Sequence, residues 1–91
     1  MAWQIEVSDA AKKQLAKIGR VEAKRITTFL RIRVAGSENP RRLGEALQGA
    51  RLGGMWRYRV GNYRVLVLIR DEVVTVVVVS VGHRGEVYRS P

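Results

Sequence analysis

The sequence predicts an α+β domain of order β-α-α-β-β-β, a small and mainly antiparallel sheet with two N-terminal helices packed on one face. Three observations predict it. Apolar residues recur at helical spacing in the first third of the chain, they alternate on both sides of Gly61-Asn62, and they run almost unbroken from Val73 to Val81. Residues 1–91 are read as one domain, since a chain of this length has no room for a second core.

Each element follows from its local pattern. Trp3 to Val7 alternates Trp, Ile and Val against Gln and Glu, which predicts a short strand. Ser8 or Asp9 then offers a helix N-cap before Ala10. Ala11, Leu15 and Ile18 share one helical face, with Lys12, Lys13 and Lys17 on the others. After Gly19 a second helix runs from about Val21 to Val34, its apolar stripe formed by Ile26, Phe29, Leu30 and Val34, and Gly36, Ser37, Asn39 and Pro40 end it. Leu43, Ala46 and Leu47 fit one short helical turn, followed by a loop punctuated by Gly49, Gly53 and Gly54. Strands Met55 to Val60 and Tyr63 to Arg70 flank Gly61-Asn62, a strong signal for a two-residue hairpin loop. Asp71-Glu72 leads into the valine-rich run, which alternates so little that it is expected to be central and covered on both faces.

Composition removes several classes of chemistry. There is no cysteine, so disulfides, thiolate zinc sites and thiol nucleophiles are excluded. One histidine and no carboxylate pair at metal-ligand spacing leave no metal cage, and no cofactor is expected. The N-terminus carries neither the basic nor the apolar region of a signal peptide, and the stretches Val65 to Ile69 and Val76 to Val79 are too short to span a bilayer. A soluble cytoplasmic protein with no membrane partner is the expectation.

Charge points to a partner. Seventeen Lys and Arg against eight Asp and Glu give a net charge of +9, in the range of nucleic-acid binders. All four lysines lie in the first 24 residues, and every later cation is arginine. Arg41 to Arg64 contains six arginines and one acid, Glu45. Arginine is favoured where a planar fork grips phosphate oxygens. Arg41, Arg42 and Arg51 in this run are candidates for contact with nucleic-acid phosphates; for Arg41-Arg42 the alternative is a solvated helix end.

The hairpin sharpens this. With Gly61-Asn62 as its loop, Val60 pairs with Tyr63 and Arg59 with Arg64, so that Arg57, Arg59 and Arg64 project from one face. Trp56, Tyr58, Val60, Tyr63 and Val65 project from the other, where Tyr58 and Tyr63 read as core. Like charges opposed across a ladder are destabilising, by about 1 kcal/mol for such a group. Three arginines splayed into solvent are the bland reading. A bound polyanion, whose phosphate turns repulsion into attraction, is the functional one.

Arg57-Tyr58-Arg59-Val60, Gly61-Asn62-Tyr63-Arg64-Val65 and the run Val79-Ser80-Val81-Gly82-His83-Arg84-Gly85-Glu86-Val87-Tyr88 resemble the RelE family of bacterial toxins, within the wider RelE/ParE fold. The element order extends the resemblance over nearly the whole chain. It implies a ribosome-dependent endoribonuclease that cleaves mRNA in the ribosomal A site without a metal and inhibits translation. It also implies catalytic roles for Arg57, Arg59, Arg64, Arg84 and Tyr88. Positions 57 and 59 are often lysine in the family; arginine there stabilises charge but hardly serves as a base. The resemblance further implies a small RelB-like antitoxin encoded alongside, a toxin–antitoxin hetero-oligomer, and the ribosome with its mRNA as target.

The implied chemistry is attack of the 2′-hydroxyl on the adjacent phosphate, leaving a 2′,3′-cyclic phosphate. It needs a base, an acid and charge stabilisation on the phosphorane. Arg59, Arg64 and Arg84 are assigned to the non-bridging oxygens and Arg57 to a flanking phosphate. A phenol starts from a pKa near ~10; guanidinium neighbours would favour phenolate at Tyr88, or Tyr88 stacks on a base. His83 carries the side-chain type that titrates near neutrality, so it is either a proton-transfer residue or a loop residue with no role. Three other readings stand beside the nuclease: a ParE-like gyrase poison of the same fold, a non-catalytic nucleic-acid-binding module, and an inactivated toxin that only binds partners.

Overall fold

The computed structural model describes residues 2–49 and 53–83. Strand β1 (Gln4–Val7) leads into α1 (Asp9–Lys17) and α2 (Arg20–Thr28), and the second helix widens into a π-helical segment, Phe29–Val34. Then follow a 3-10 turn (Pro40–Leu43), β2 (Glu45–Ala46), β3 (Met55–Val60), β4 (Tyr63–Arg70), a second 3-10 turn (Asp71–Val73) and β5 (Thr75–His83). The five strands form one sheet of order β1-β5-β4-β3-β2, antiparallel throughout except for the parallel β1–β5 pair.

Local chemistry accounts for the boundaries. Ser8 is the α1 N-cap, its hydroxyl accepting from the Ala11 N–H at 3.1 Å and donating to the Val79 carbonyl at 3.0 Å. One side chain therefore starts the helix and ties it to β5. Where β1 ends, Gln14 of α1 takes over the edge of β5: its Oε1 accepts from the Val81 N–H at 2.6 Å, and its amide contacts the Ser80 hydroxyl. At the hairpin tip Gly61 has φ +60 while Asn62 stays at negative φ, so the glycine carries the positive-φ demand of the turn alone.

The core lies between the helices and one face of the sheet. Ile26, Leu30 and Val34 of the second helix meet Tyr58, Val60, Val65, Val67, Val76, Val78 and Val81, all buried. Of the five residues the hairpin alternation assigns to this face, Tyr58, Val60 and Val65 are buried, while Trp56 and Tyr63 pack against the cluster partly buried. Tyr58 is fully buried, its hydroxyl donates to the Pro40 carbonyl at 2.9 Å, and its ring meets Phe29 edge-on at 5.5 Å. Burial pushes the Tyr58 phenol up to about 12, so it remains a neutral donor.

Two expectations are corrected. The predicted helical turn through Leu43, Ala46 and Leu47 is a 3-10 turn followed by a strand. Asn39 accepts from the Arg41 N–H and Pro40 opens the turn, which Gly44 closes in extended conformation. A Cβ on Gly44 would lie 2.6 Å from the Arg57 carbonyl, so only glycine lets the chain come this close to β3, and β2 forms immediately after it. The valine-rich strand is also shifted and is not central. Val73 lies in a turn and is 54% exposed, β5 begins at Thr75, and β4 occupies the middle of the sheet. The described helices cover one face of β5; on the other, Val77 pairs with Leu68 and both remain partly accessible. Strand β1, returning in parallel outside β5, makes it an inner strand without a second covering layer.

Val74 has φ 48 and ψ 50, a left-handed conformation that β-branched residues avoid. Val74→Gly should therefore raise stability by about 1 kcal/mol in a denaturant melt, relief of strain outweighing the added freedom of the unfolded chain. A lower midpoint would mean that packing around Val74 outweighs its backbone strain.

Candidate polyanion-binding face

The hairpin register brings three cations to the sheet face away from the helices. Arg59 stands directly opposite Arg64, and Arg57 lies one step along opposite Leu66. These residues alternate with the buried set, so the packing of Tyr58, Val60 and Val65 under the helices commits the arginines to the other face. Arg64 Nη1 donates to the carbonyls of Tyr63 at 3.0 Å and Gly61 at 3.3 Å, which holds this guanidinium beside the hairpin tip.

Glu45 is the residue that sequence reasoning overlooked. The β2–β3 register sets it opposite Arg57, and its Oε1 accepts from Arg57 Nη2 at 2.8 Å and lies 3.4 Å from Arg59 Nε. The crowding of arginines is thus partly relieved by an acid on the neighbouring strand. The hydrogen bond from Arg57, then the charges of Arg57 and Arg59, hold the Glu45 carboxyl below the ordinary carboxylate range. It stays anionic at neutral pH, with one oxygen shared between Arg57 and Arg59. Its signal was visible as the lone acid among six arginines, but only the short strand β2 shows which arginines it meets.

The remaining candidates separate. Arg41 is engaged by Asp71 in a two-pronged pair at 2.9 and 2.7 Å, and its guanidinium also lies 5.9 Å from the centre of the Trp56 ring. This pair ties the turn before β2 to the turn between β4 and β5. Arg42 in the same turn is exposed. His83, at the end of β5, stands opposite Tyr63 and meets that ring edge-on at 5.5 Å. Alternation sets it with the helix-side residues, and its neighbour Gly82 pairs with Arg64. Described geometry therefore brings Arg57, Arg59 and Arg64 together and leaves His83 on the opposite side of the strand. Arg51, Arg84 and Tyr88 lie outside the described residues. Among the described residues, no three His, Asp or Glu side chains gather in a way that could hold a metal ion.

Two outcomes test these pairings. Glu45→Gln removes an anion that competes with phosphate, so affinity for a single-stranded oligonucleotide at pH 7 should rise about two- to fivefold, the range of an exposed ion pair. Fluorescence anisotropy reads this directly, and a fall in affinity would make Glu45 a contributor to binding. Arg41 likewise holds the Asp71 carboxyl low. Its contribution to stability is complete above the ordinary carboxylate pKa of ~4 and fades as pH drops through the lowered value. Asp71→Asn should flatten the acid limb of a thermal-stability profile; an unchanged limb would leave the pair without energetic weight.

Comparison with known proteins agrees with the fold. The family model for the ParE toxin of the type II toxin–antitoxin system parDE matches residues 5–88. Toxin RelG of Mycobacterium tuberculosis is 43% identical over 53 residues, a stretch covering 58% of this chain and 60% of that relative's length. The crystal structure of the RelBE2 toxin–antitoxin complex of the same organism superimposes with a TM-score of 0.83 at 28% identity, over 92% of this chain and 93% of its counterpart. A mutant of E. coli toxin RelE in the free state superimposes with a TM-score of 0.73 at 27% identity, over 98% of this chain and 93% of that one. With the fold and nearly the full length accounted for, this chain belongs to the ParE toxin family of type II toxin–antitoxin systems, within the RelE/ParE superfamily.

Proposed function

We propose that this protein is a ribosome-dependent endoribonuclease that cleaves mRNA in the A site and so inhibits translation in the cytoplasm. The observation carrying this reading is the guanidinium group of Arg57, Arg59 and Arg64 on one sheet face, with Arg59 and Arg64 in direct cross-strand register. A nuclease of this kind stabilises the charge of a five-coordinate phosphorane, and fixed guanidinium groups are suited to that task. Arg59 and Arg64 would hold non-bridging oxygens and Arg57 a flanking phosphate. Arg84 and Tyr88 would complete the site as the family motif implies, with the 2′-hydroxyl attacking and a 2′,3′-cyclic phosphate left behind. Glu45 would yield its place to the substrate phosphate. His83, beside Tyr63, is the weaker proton-transfer candidate, since it leaves the strand on the side away from Arg64.

A cognate antitoxin is part of the proposal. The similarity to the toxin–antitoxin complex RelBE2 supports a small RelB-like partner forming a hetero-oligomer, and the net charge of +9 suits an acidic one. One specific observation favours a second reading: the matching family model is that of ParE toxins, and a ParE-like member would poison DNA gyrase.

Purified protein, ribosomes and a defined message should yield new mRNA ends within codons, with far slower cleavage of the same message free in solution. Arg64→Ala should reduce that rate about 10²–10³-fold, the usual cost of removing one transition-state donor, while its circular dichroism matches the wild type. Uncut message together with inhibited supercoiling by gyrase would replace the nuclease with the second reading.

A further inference from the structure

The sheet face is not the only cationic surface. The helical layer, from Asp9 to Val34, carries eight basic residues against two acids, Asp9 and Glu22, on the side of the molecule away from Arg57 and Arg59. Solvated helix faces are often charged, and by itself this imbalance would mean little. One residue connects it to the candidate site. Arg25 of α2 lies across the β3–β4 turn, with Nη1 only 2.8 Å from the position a Cβ on Gly61 would occupy. Arg64 reaches the same glycine from the sheet side, 3.3 Å from its carbonyl. Guanidinium groups from two layers thus converge on Gly61, a residue whose missing side chain and φ of +60 make the approach possible.

Beyond Arg25 the cations continue. Arg20, Lys24 and Arg25 line one shallow depression of about 420 Å³ on the outer side of α2, together with Val21 and Thr28. Val21 is 75% exposed, so this surface also offers an apolar contact for a base. Among the described residues Arg25 has one ion pair within 4 Å, with Glu22 at 3.9 Å in a weak i,i+3 arrangement. A basic strip therefore leads from Arg59 and Arg64 over the hairpin tip to α2.

We propose that this strip is a phosphodiester track: a single RNA strand held on the sheet face continues around the hairpin tip, with its flanking phosphates on Arg25, Lys24 and Arg20. The track rests on the reading of the sheet face as an RNA site and extends it by a second segment. Continuity with that face, together with charge complementarity, favours a nucleotide strand as its occupant.

The test uses the full chain and 2′-O-methyl oligonucleotides, which bind but cannot undergo 2′-hydroxyl attack. A trinucleotide fills only the sheet face, whereas a dodecamer also reaches α2. Arg25→Ala and Lys24→Ala should each reduce the salt slope of dodecamer binding by about 0.7, the single-strand value per phosphate contact, and leave the trinucleotide unaffected. Arg25→Lys should keep the slope, because the charge is retained. Arg59→Ala should weaken both oligonucleotides. If Arg25→Ala and Lys24→Ala leave dodecamer binding as in the wild type while Arg59→Ala weakens it, the track is wrong and the sheet face stands. If Arg59→Ala changes neither oligonucleotide, the sheet face and the track's continuity with it fall together. If poly-glutamate binds in an Arg25-dependent way and the dodecamer binds no tighter than the trinucleotide, the α2 surface belongs to an acidic protein partner and the track is overturned. Near-wild-type thermal midpoints for these exposed substitutions exclude misfolding as the cause.

Discussion

Register between β3 and β4 is the constraint on which both the core and the site depend. Tyr58, Val60, Val65 and Val67 are buried in one cluster with Ile26, Leu30 and Val34 of the second helix, so this face of the hairpin is held by apolar burial. With side chains alternating along each strand, burying that set commits Arg57, Arg59 and Arg64 to the opposite face. A slip by one residue would put guanidinium groups under the helices and aromatics in water, a change far costlier than the repulsion between Arg59 and Arg64. The cationic face is thus held in place by hydrophobic burial that takes place on its other side.

Around that hairpin, smaller contacts determine how the cations are presented. Gly44 allows the chain to approach β3 closely enough for a two-residue strand, and this delivers Glu45 to Arg57 and Arg59. Arg41 and Asp71 clamp the turn leading into that strand, while Tyr58 holds the same turn from inside through Pro40. A core hydroxyl, a surface ion pair and a glycine therefore cooperate to place one carboxylate among the arginines. Arginine suits such a face because it stays charged and because its planar fork can exchange a carboxylate for a phosphate with little rearrangement.

The fold alone would not choose among the chemistries of its superfamily, since function belongs to sites placed on a scaffold. The described sheet face gathers Arg57, Arg59 and Arg64, the charge on which the proposed nuclease reading rests, and the neighbouring helix layer is basic as well. The placement of Arg25 over Gly61 makes these two surfaces neighbours and not merely two patches on one molecule.

Much of this was legible in the sequence because it depends on local rules. Gly61-Asn62 between alternating strands determined the hairpin, its register and the shared face of Arg57, Arg59 and Arg64; Ser8 and the apolar spacing determined the helices. The two-residue strand β2, the Glu45 pairings, the Arg41–Asp71 clamp and the meeting of Arg25 with Gly61 were decided only by tertiary structure. Each joins residues distant in sequence through a close approach that no periodicity encodes. The same is true of the place of β5, whose valines predict burial but not which strand lies beside it; the parallel return of β1 moved β4 to the centre. Local pattern says which face a side chain takes, and only the packed chain says what it meets there.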